Sequence, residues 1–297
     1  MPPAAASPLP AIAMMVAALS IFPLSDGIGK YLVGLGVPVI QLVWARYFFH
    51  FAAVAPFAIA AHGPAALSPR LVGRQAVRGV FLVVSTILFF LGIRHMPLAD
   101  SVAILFVAPL IVTALAPFVL GERVGIRRYT AVAVGFVGAL IVIRPGGSVA
   151  GWYALYPLGA GICYAFYLLS TRRMAGRAPP LVTLTYTAIA GTIAASAALP
   201  FVWQWPGWLE FLAMAAIGPM AAAGHLMIIR AHERTQASLL APFSYWQIVM
   251  STVVGYFAFG DFPDRWTWIG TAVLVASGVY VSVREQRLAA QRAKPAP

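Results

Sequence analysis

Long apolar runs follow one another along almost the whole chain, separated by short clusters of Gly, Pro and charged residues. A helix needs about 20 mainly apolar residues to cross the roughly 30 Å of hydrocarbon in a bilayer. Of the 297 residues, 61% are hydrophobic and 9% are charged, a proportion that cannot form a polar shell around one apolar core. The sequence therefore predicts an all-α membrane protein and leaves no room for a soluble catalytic domain.

The breaks between the apolar runs predict ten transmembrane helices. These spans are expected near residues 10–33, 38–61, 75–94, 99–121, 126–144, 151–171, 181–203, 208–229, 237–259 and 266–283. The first run is interpreted as a retained span, because no Lys or Arg precedes Lys30 and a cleaved signal peptide begins with a basic region.

Basic residues concentrate in alternate connectors. If the N-terminus is cytoplasmic, that side collects 15 of the 20 Lys and Arg residues, and the opposite connectors hold Arg94, Arg144 and Arg265. Lys and Arg are retained on the cytoplasmic side of a membrane, so this split predicts that both termini are cytoplasmic. The formal net charge of +12 then reflects membrane orientation, and no nucleic-acid partner is expected.

The second half of the chain repeats features of the first at an offset of 139 or 140 residues. The segment Gly121-Glu122-Arg123 precedes an apolar span and corresponds to Gly260-Asp261-Phe262, and the helix that reaches Phe106 corresponds to the one that reaches Tyr245. Five spans per half is an odd number, so the halves must have opposite orientations in the membrane. The sequence thus predicts two inverted five-helix repeats with a binding site at their interface.

The predicted boundary between the repeats lies in the Gly-rich connector after the fifth span. Residues 1–147 form the first five-helix repeat, and residues 148–297 form the second with a short cytoplasmic tail. Spans 5 and 10 carry small residues at helical spacing, among them Gly135 and Ala276. Such spacing predicts close helix packing, either within the chain or between subunits.

Short motifs recur in a fixed order along the chain. They are Ser25-Asp26 with Lys30, Arg46, Pro97-Leu98-Ala99-Asp100, Phe106 to Pro109, Gly121-Glu122-Arg123, Ala241-Pro242-Phe243-Ser244-Tyr245, Gly255-Tyr256 and Gly260-Asp261. In the order and spacing of these motifs, the chain resembles the drug/metabolite transporter superfamily, specifically its ten-span EamA-type exporters. The resemblance covers about residues 10–285. It looks closest to the amino-acid exporters of the YddG type.

This resemblance implies a secondary transporter of the bacterial inner membrane that exports small metabolites by alternating access. Neutral or aromatic amino acids are the expected substrates, and vitamins, nucleoside derivatives and drug-like compounds remain alternatives. A passive channel-like or structural membrane protein is the alternative from another class. A zwitterionic small molecule and membrane lipid are the expected partners, and the protein is expected to be a monomer or weak dimer.

Charged side chains inside a span cost several kcal/mol and usually face a cavity or a partner. Asp26 and Lys30 are spaced i, i+4 on one face of the first span. They either neutralise each other or meet a zwitterionic substrate or a proton. Arg46, with His50 one turn further on, either meets an anionic group or bonds carbonyls across helices.

Polar side chains on other spans also predict a lined cavity. Four tyrosines of the sixth span fall within an arc of about 80°, and the deeper pair, Tyr156 and Tyr164, are the better lining candidates. Ser85 and His225 stand in otherwise apolar stretches of spans 3 and 8. The alternative role for such groups is hydrogen bonding between helices. With span 9 included, the predicted substrate-binding residues are Asp26, Lys30, Ser85, Tyr156, Tyr164, His225, Ser244, Tyr245 and Gln247.

Features of an enzyme are missing from the sequence. The stretch from His232 to Gln236 resembles a zinc-protease motif, but position 236 is Gln where a second His is required. Cys163 is the single cysteine, which excludes a multi-cysteine metal site, and no Gly-rich phosphate loop with a Lys is present. The sequence therefore predicts no enzyme activity, no metal and no cofactor.

Overall fold

The computed structural model describes residues 8–64, 72–121, 125–144, 151–174, 178–235 and 237–292. Within these ranges the regular elements are helices. Glu122, Arg123, the predicted repeat boundary at 147 and the predicted cytoplasmic residues Arg70, Arg177 and Lys294 lie outside the described residues.

The described residues of the first half form six α-helices. They are α1 (Leu9–Gly34), α2 (Val39–His62), α3 (Val72–Ile93), α4 (Leu98–Leu105), α5 (Val107–Leu120) and α6 (Ile126–Ile143). The second half begins with a short 3-10 helix and contains six more α-helices. They are α7 (Leu155–Arg173), α8 (Pro180–Ala198), α9 (Trp208–Arg234), α10 (Ala237–Leu240), α11 (Trp246–Phe259) and α12 (Arg265–Arg292).

In the described part of the chain, nine helical segments are long and apolar enough to cross a membrane. The remaining predicted span, residues 237–259, consists of α10, a 3-10 helix (Ala241–Tyr245) and α11. Pro242 lies in this 3-10 helix, and a proline lacks the N–H that a continuous α-helix requires there. With this interrupted span included, the ten-span all-α fold predicted from the sequence is confirmed.

The fourth and ninth spans are interrupted at equivalent places. A break at Phe106 separates α4 from α5, and a break ending at Tyr245 precedes α11. Both following helices contain 14 residues and end at a glycine in the left-handed conformation, Gly121 and Gly260, each with φ of 71°. Glycine adopts this conformation without steric cost, which explains the residue type at both ends. The rings of Phe106 and Tyr245 stack with centroids 5.3 Å apart, so the two halves meet at equivalent points.

Helix contacts follow the same two-fold pattern. The helices α1, α2, α3 and α5 of the first half correspond to α7, α8, α9 and α11 of the second. Accordingly, α1 and α2 both pack on α9, as α7 and α8 both pack on α3. The contact of α1 with α11 likewise corresponds to that of α7 with α5. The pairs α2 with α8, α4 with α11 and α6 with α12 join equivalent spans of the two halves. Each of these contacts is therefore matched by its symmetry partner, as two inverted five-helix repeats require.

The small residues of spans 5 and 10 serve a contact within the chain. α6 and α12 approach so closely that a Cβ atom on Gly138 would lie 2.8 Å from the carbonyl oxygen of Gly270. The hydroxyl of Ser277 donates a hydrogen bond to the carbonyl oxygen of Ala131 in the same interface. Small residues let helix backbones approach in membranes, and here they join the two halves.

Substitution of Gly138 by Val should lower the thermal unfolding midpoint of the purified protein. The added Cβ meets backbone atoms of Gly270 and Leu274 at 2.8 and 2.9 Å, and overpacking of this kind typically costs about 1–3 kcal/mol. Gly34→Ala is the matched control, because a Cβ there meets nothing within 4 Å. An unchanged midpoint for Gly138→Val would contradict the close packing of α6 on α12.

Candidate functional site

A cavity of about 350 Å³ lies between the two halves of the bundle. It continues into a second cavity of about 410 Å³, since Met15, Phe106 and Ser244 are among the residues that line both. The second cavity extends to the helix ends that carry the exposed side chains of Arg172 and His232. α1 begins and α12 ends on this side, so the combined cavity extends toward the end of the bundle where these two helices begin and end.

A salt bridge forms part of the wall of the first cavity. An Nη1 atom of Arg46 in α2 lies 3.0 Å from Oδ1 of Asp26 in α1, and both side chains are largely buried. The guanidinium also lies 5.8 Å from the centre of the Phe90 ring. A buried ion pair repays its desolvation only when its geometry and remaining hydrogen bonds are good. Because both residues line the cavity, the pair presents a carboxylate and a guanidinium to any ligand that enters it.

Aromatic side chains cover much of the remaining wall. Phe22, Phe89, Phe106 and Tyr164 join Phe90 around the cavity. A ligand with a flat ring system can stack on such surfaces, and aromatic pairs gain about 0.5–1.5 kcal/mol beyond their buried area. The cavity thus combines a charged edge with an aromatic interior.

Most of the predicted binding residues lie at this combined cavity. Those that line the first cavity are Asp26, Ser85, Tyr164, His225, Ser244 and Gln247. Tyr245 lines the second cavity. The hydroxyl of Ser85 donates a hydrogen bond of 2.8 Å to the carbonyl oxygen of Ala160, so this side chain also joins α3 to α7.

Lys30 and Tyr156 do not line either cavity. Tyr156 precedes Tyr164 by eight residues, about 12 Å along a helix, and therefore lies nearer the opposite end of the bundle. Nζ of Lys30 lies 2.6 Å from Oδ2 of Asp261 and donates a second hydrogen bond to the carbonyl oxygen of Met96 at 2.9 Å. The interpretation that Asp26 and Lys30 neutralise each other is therefore wrong, because each has a partner on another element.

Ion pairs between the two halves close the end of the bundle opposite the cavity mouth. Lys30 of the first half binds Asp261 of the second, and the ring of Phe259 lies 4.9 Å from the ammonium group. Arg144 of the first half binds Asp264 of the second. Partial burial raises the pKa of Asp264, but the backbone N–H of Thr267 and the Arg144 guanidinium outweigh it and lower the pKa below its usual value. This link therefore stays charged at neutral pH and is lost only as the pH falls through that lowered pKa.

Sequence reasoning named Arg46 as a charge inside a span but left it out of the predicted binding residues. The signal that could have included it is the rule that intramembrane charges face a cavity by default. His232 and Phe106 were also missed as lining residues. Their positions depend on the break in α4 and on where α9 ends, and neither gives a periodic signal in the sequence.

Comparisons with known proteins agree with this architecture. Residues 9–144 and 151–284 each match the EamA-like transporter family. The S-adenosylmethionine uptake transporter of Rickettsia prowazekii is 24% identical over 267 residues, which are 89% of each chain. The riboflavin transporter of Vibrio cholerae is 25% identical over 281 residues, 93% of this chain and 94% of the relative.

A third relative is the pseudopaline exporter CntI of Pseudomonas aeruginosa, 27% identical over 222 residues, 73% of this chain and 77% of the relative. A protein of known crystal structure has the same fold, with a TM-score of 0.65, 20% identity and coverage of 94% of this chain and 98% of the other. None of the three relatives described here is named as an amino-acid exporter.

Proposed function

Because this chain belongs to the EamA-like transporter family and is a membrane transporter, we propose that it carries zwitterionic metabolites in which an α-amino-acid group is joined to an aromatic ring system. S-Adenosylmethionine is the proposed representative of this class. Export of aromatic amino acids, expected from the sequence, is a narrower case of the same chemistry.

The Asp26–Arg46 salt bridge at the edge of an aromatic cavity is the observation that carries this proposal. A carboxylate and a guanidinium 3.0 Å apart match the ammonium and carboxylate of an amino acid. Charge-assisted bonds of this kind are about twice as strong as neutral ones. The rings of Phe22, Phe89 and Tyr164 supply apolar surface for the ring system of the ligand.

The size of the cavity and the names of the relatives support the same class. The first cavity, at about 350 Å³, falls within the range of about 300–1,000 Å³ that is usual for small-molecule sites. S-Adenosylmethionine, the substrate in the name of one relative, contains both an amino-acid group and an adenine ring. Riboflavin, named for another, shares the flat ring system without the zwitterion.

Alternating access is the proposed mechanism. One end of the interface between the halves is open through the combined cavity, and the other is held by ion pairs between the halves. Movement of the inverted repeats against each other would break these ion pairs and close the cavity mouth. The direction of net transport then follows the gradients of the substrate and of any coupled ion.

A competition assay in proteoliposomes tests the substrate class. Exchange of radiolabelled S-adenosylmethionine is measured with a 100-fold excess of unlabelled competitors. We expect strong inhibition by S-adenosylhomocysteine, which keeps both the amino-acid group and the adenine ring, and weak inhibition by adenosine or methionine, which each keep one part. Equal inhibition by adenosine and S-adenosylhomocysteine would contradict recognition of the amino-acid group, and absence of saturable exchange would reject this substrate.

The chain offers a matched pair of tyrosines for testing the aromatic wall. Tyr164→Ala should raise the half-saturating substrate concentration about 5- to 10-fold, since stacking of a base on an aromatic side chain contributes about 1 kcal/mol or more. Tyr156→Ala should leave it unchanged, because Tyr156 lies on the same helix but outside the cavity. The half-saturating concentration of S-adenosylmethionine exchange measures both, and an equal effect of the two substitutions would contradict the assignment.

A further inference from the structure

A small cavity of about 30 Å³ lies directly beside the main one. The two share Arg46, Thr86 and His225 in their walls, and the small cavity also contacts His50 and Tyr167. A cavity needs about 10–15 Å³ to hold one water molecule, so this one has room for a small group.

The surroundings of this small cavity carry more positive than negative charge. Arg78 is one of the 15 Lys and Arg residues that the charge count places on the cytoplasmic side, but it is only 1% exposed and lies inside the bundle on α3. Its guanidinium donates to Thr171, to the carbonyl oxygen of Thr183 and to Thr187, and stacks over the ring of Tyr167 at 5.0 Å. These neutral partners replace water and explain why the charge count misplaced it.

Neutral partners do not balance the charge of Arg78. Among the ion pairs formed by the described residues, none includes Arg78, whereas Arg46 pairs with Asp26. Two guanidinium groups therefore share one carboxylate in this region. A buried charge without a counter-charge costs several kcal/mol, which favours an anion close by.

One polar atom at the small cavity has no partner, whereas two hydroxyl groups beside it already donate to other oxygens. Nε2 of His50, a residue that is 4% exposed, has no hydrogen-bond partner. Thr86 donates its hydroxyl proton to the carbonyl oxygen of Leu82, so the hydroxyl of Tyr47 must donate to Thr86. The ring of His225 lies 6.0 Å from that of His50 on the facing helix α9.

We propose that this cavity binds one monovalent anionic group between Arg46 and His50, either a free halide or the carboxylate of a bound substrate. His50 supplies an N–H, Arg46 supplies a charged donor, and Arg78 supplies the balancing positive charge from behind Tyr167 and Thr187. The site is separate from the Asp26 carboxylate, which receives the cationic part of a zwitterion.

Thermal unfolding of the purified full-length protein in detergent tests the site. Gluconate is replaced stepwise by chloride, or by formate as a carboxylate probe, at constant ionic strength. We expect a saturable rise of about 2–4 °C in the unfolding midpoint for the wild type. His50→Leu should lose this rise, and His50→Gln, which keeps an N–H donor, should retain most of it.

His95→Gln is the matched control, because His95 is exposed at the opposite end of the bundle and stacks on Tyr153. It should respond to chloride as the wild type does. If His50→Leu does not fold, Tyr167→Phe serves in its place, since it keeps the ring under Arg78 and removes one hydroxyl donor. No saturable response in the wild type, or a wild-type response in His50→Leu (or in Tyr167→Phe where His50→Leu does not fold), would overturn the proposal.

Substrate exchange at several chloride concentrations then distinguishes the two sources of the anion. Competition by chloride, seen as a rising half-saturating concentration, identifies the site as the pocket for the substrate carboxylate. Stimulation by chloride identifies a free halide. The unfolding assay needs no transported substrate, so its result is independent of the proposed function.

Discussion

Replacement of Arg46 by Met is expected to reduce transport at least about 100-fold, because it leaves Asp26 as a buried carboxylate without a partner. Removal of one member of a buried ion pair costs about 3–5 kcal/mol, which corresponds to more than a hundredfold in an equilibrium constant. The same change removes the cationic group that we assign to the substrate carboxylate. Exchange of S-adenosylmethionine in proteoliposomes, normalised to the amount of folded protein, measures the loss.

A double variant separates the effect on folding from the effect on binding. Asp26→Asn combined with Arg46→Gln removes both charges and leaves two amides that can bond each other, so it should fold near wild-type stability and still fail to transport. Arg230→Met is the matched control, because Arg230 is exposed and pairs only loosely with Glu233 at 3.7 Å. Exposed pairs contribute about 0–1 kcal/mol. Full transport by the double variant would rule out the ion pair as the substrate site.

The fold could be predicted from the sequence because each of its determinants is local or periodic. Apolar runs determine the spans, and Gly121 and Gly260 end equivalent helices because no other residue type adopts φ of 71° so readily. The repeat then supplies the arrangement of the helices. The break at Phe106 also has a local cause, because Pro109 has no N–H to bond the carbonyl oxygen of Leu105 four residues earlier.

The partners of the charges could not be predicted from spacing. Asp26 and Lys30 share a helix face, but Asp26 pairs with Arg46 in α2. Lys30 pairs with Asp261 in the connector after α11. Pairs at i, i+4 contribute only about 0.2–0.5 kcal/mol, so a better partner on another element prevails. Arg78 shows the same limit, because the threonines that hold it lie about a hundred residues away in the sequence.

The 3.6-residue period also does not determine which residues along one face of a span reach the cavity. The 3.6-residue period places Tyr156 and Tyr164 on neighbouring parts of one face of α7, yet only Tyr164 reaches the cavity. Which end of the interface is open determines this difference. If the opposite end were open, residues nearer that end of the same helices would line the cavity. The lining residues therefore depend on the conformation as well as on the sequence.

Neutralising Asp261 should open the closed end of the bundle. In Asp261→Asn, Lys30 loses the salt bridge between the halves and keeps only the carbonyl oxygen of Met96 and the ring of Phe259. A partly buried pair of this kind contributes about 1–2 kcal/mol, so the equilibrium should shift about 10-fold toward a state that is open at this end. Met96→Cys in a Cys163→Ser background reports the shift, because the Met96 side chain is buried in the closed state.

The expected result is labelling of Cys at position 96 by a maleimide about 10-fold faster in Asp261→Asn than in the background protein. The charge-exchanged variant Lys30→Asp with Asp261→Lys should restore slow labelling, since it rebuilds the pair with its members reversed. Glu210→Gln is the matched control, because this carboxylate lies at the start of α9 and bonds only the backbone N–H of Gly207. Equal labelling rates in all these proteins would show that the ion pair does not hold the halves together, and closure would then rest on the packing of Gly27 in the first half against Val254 in the second.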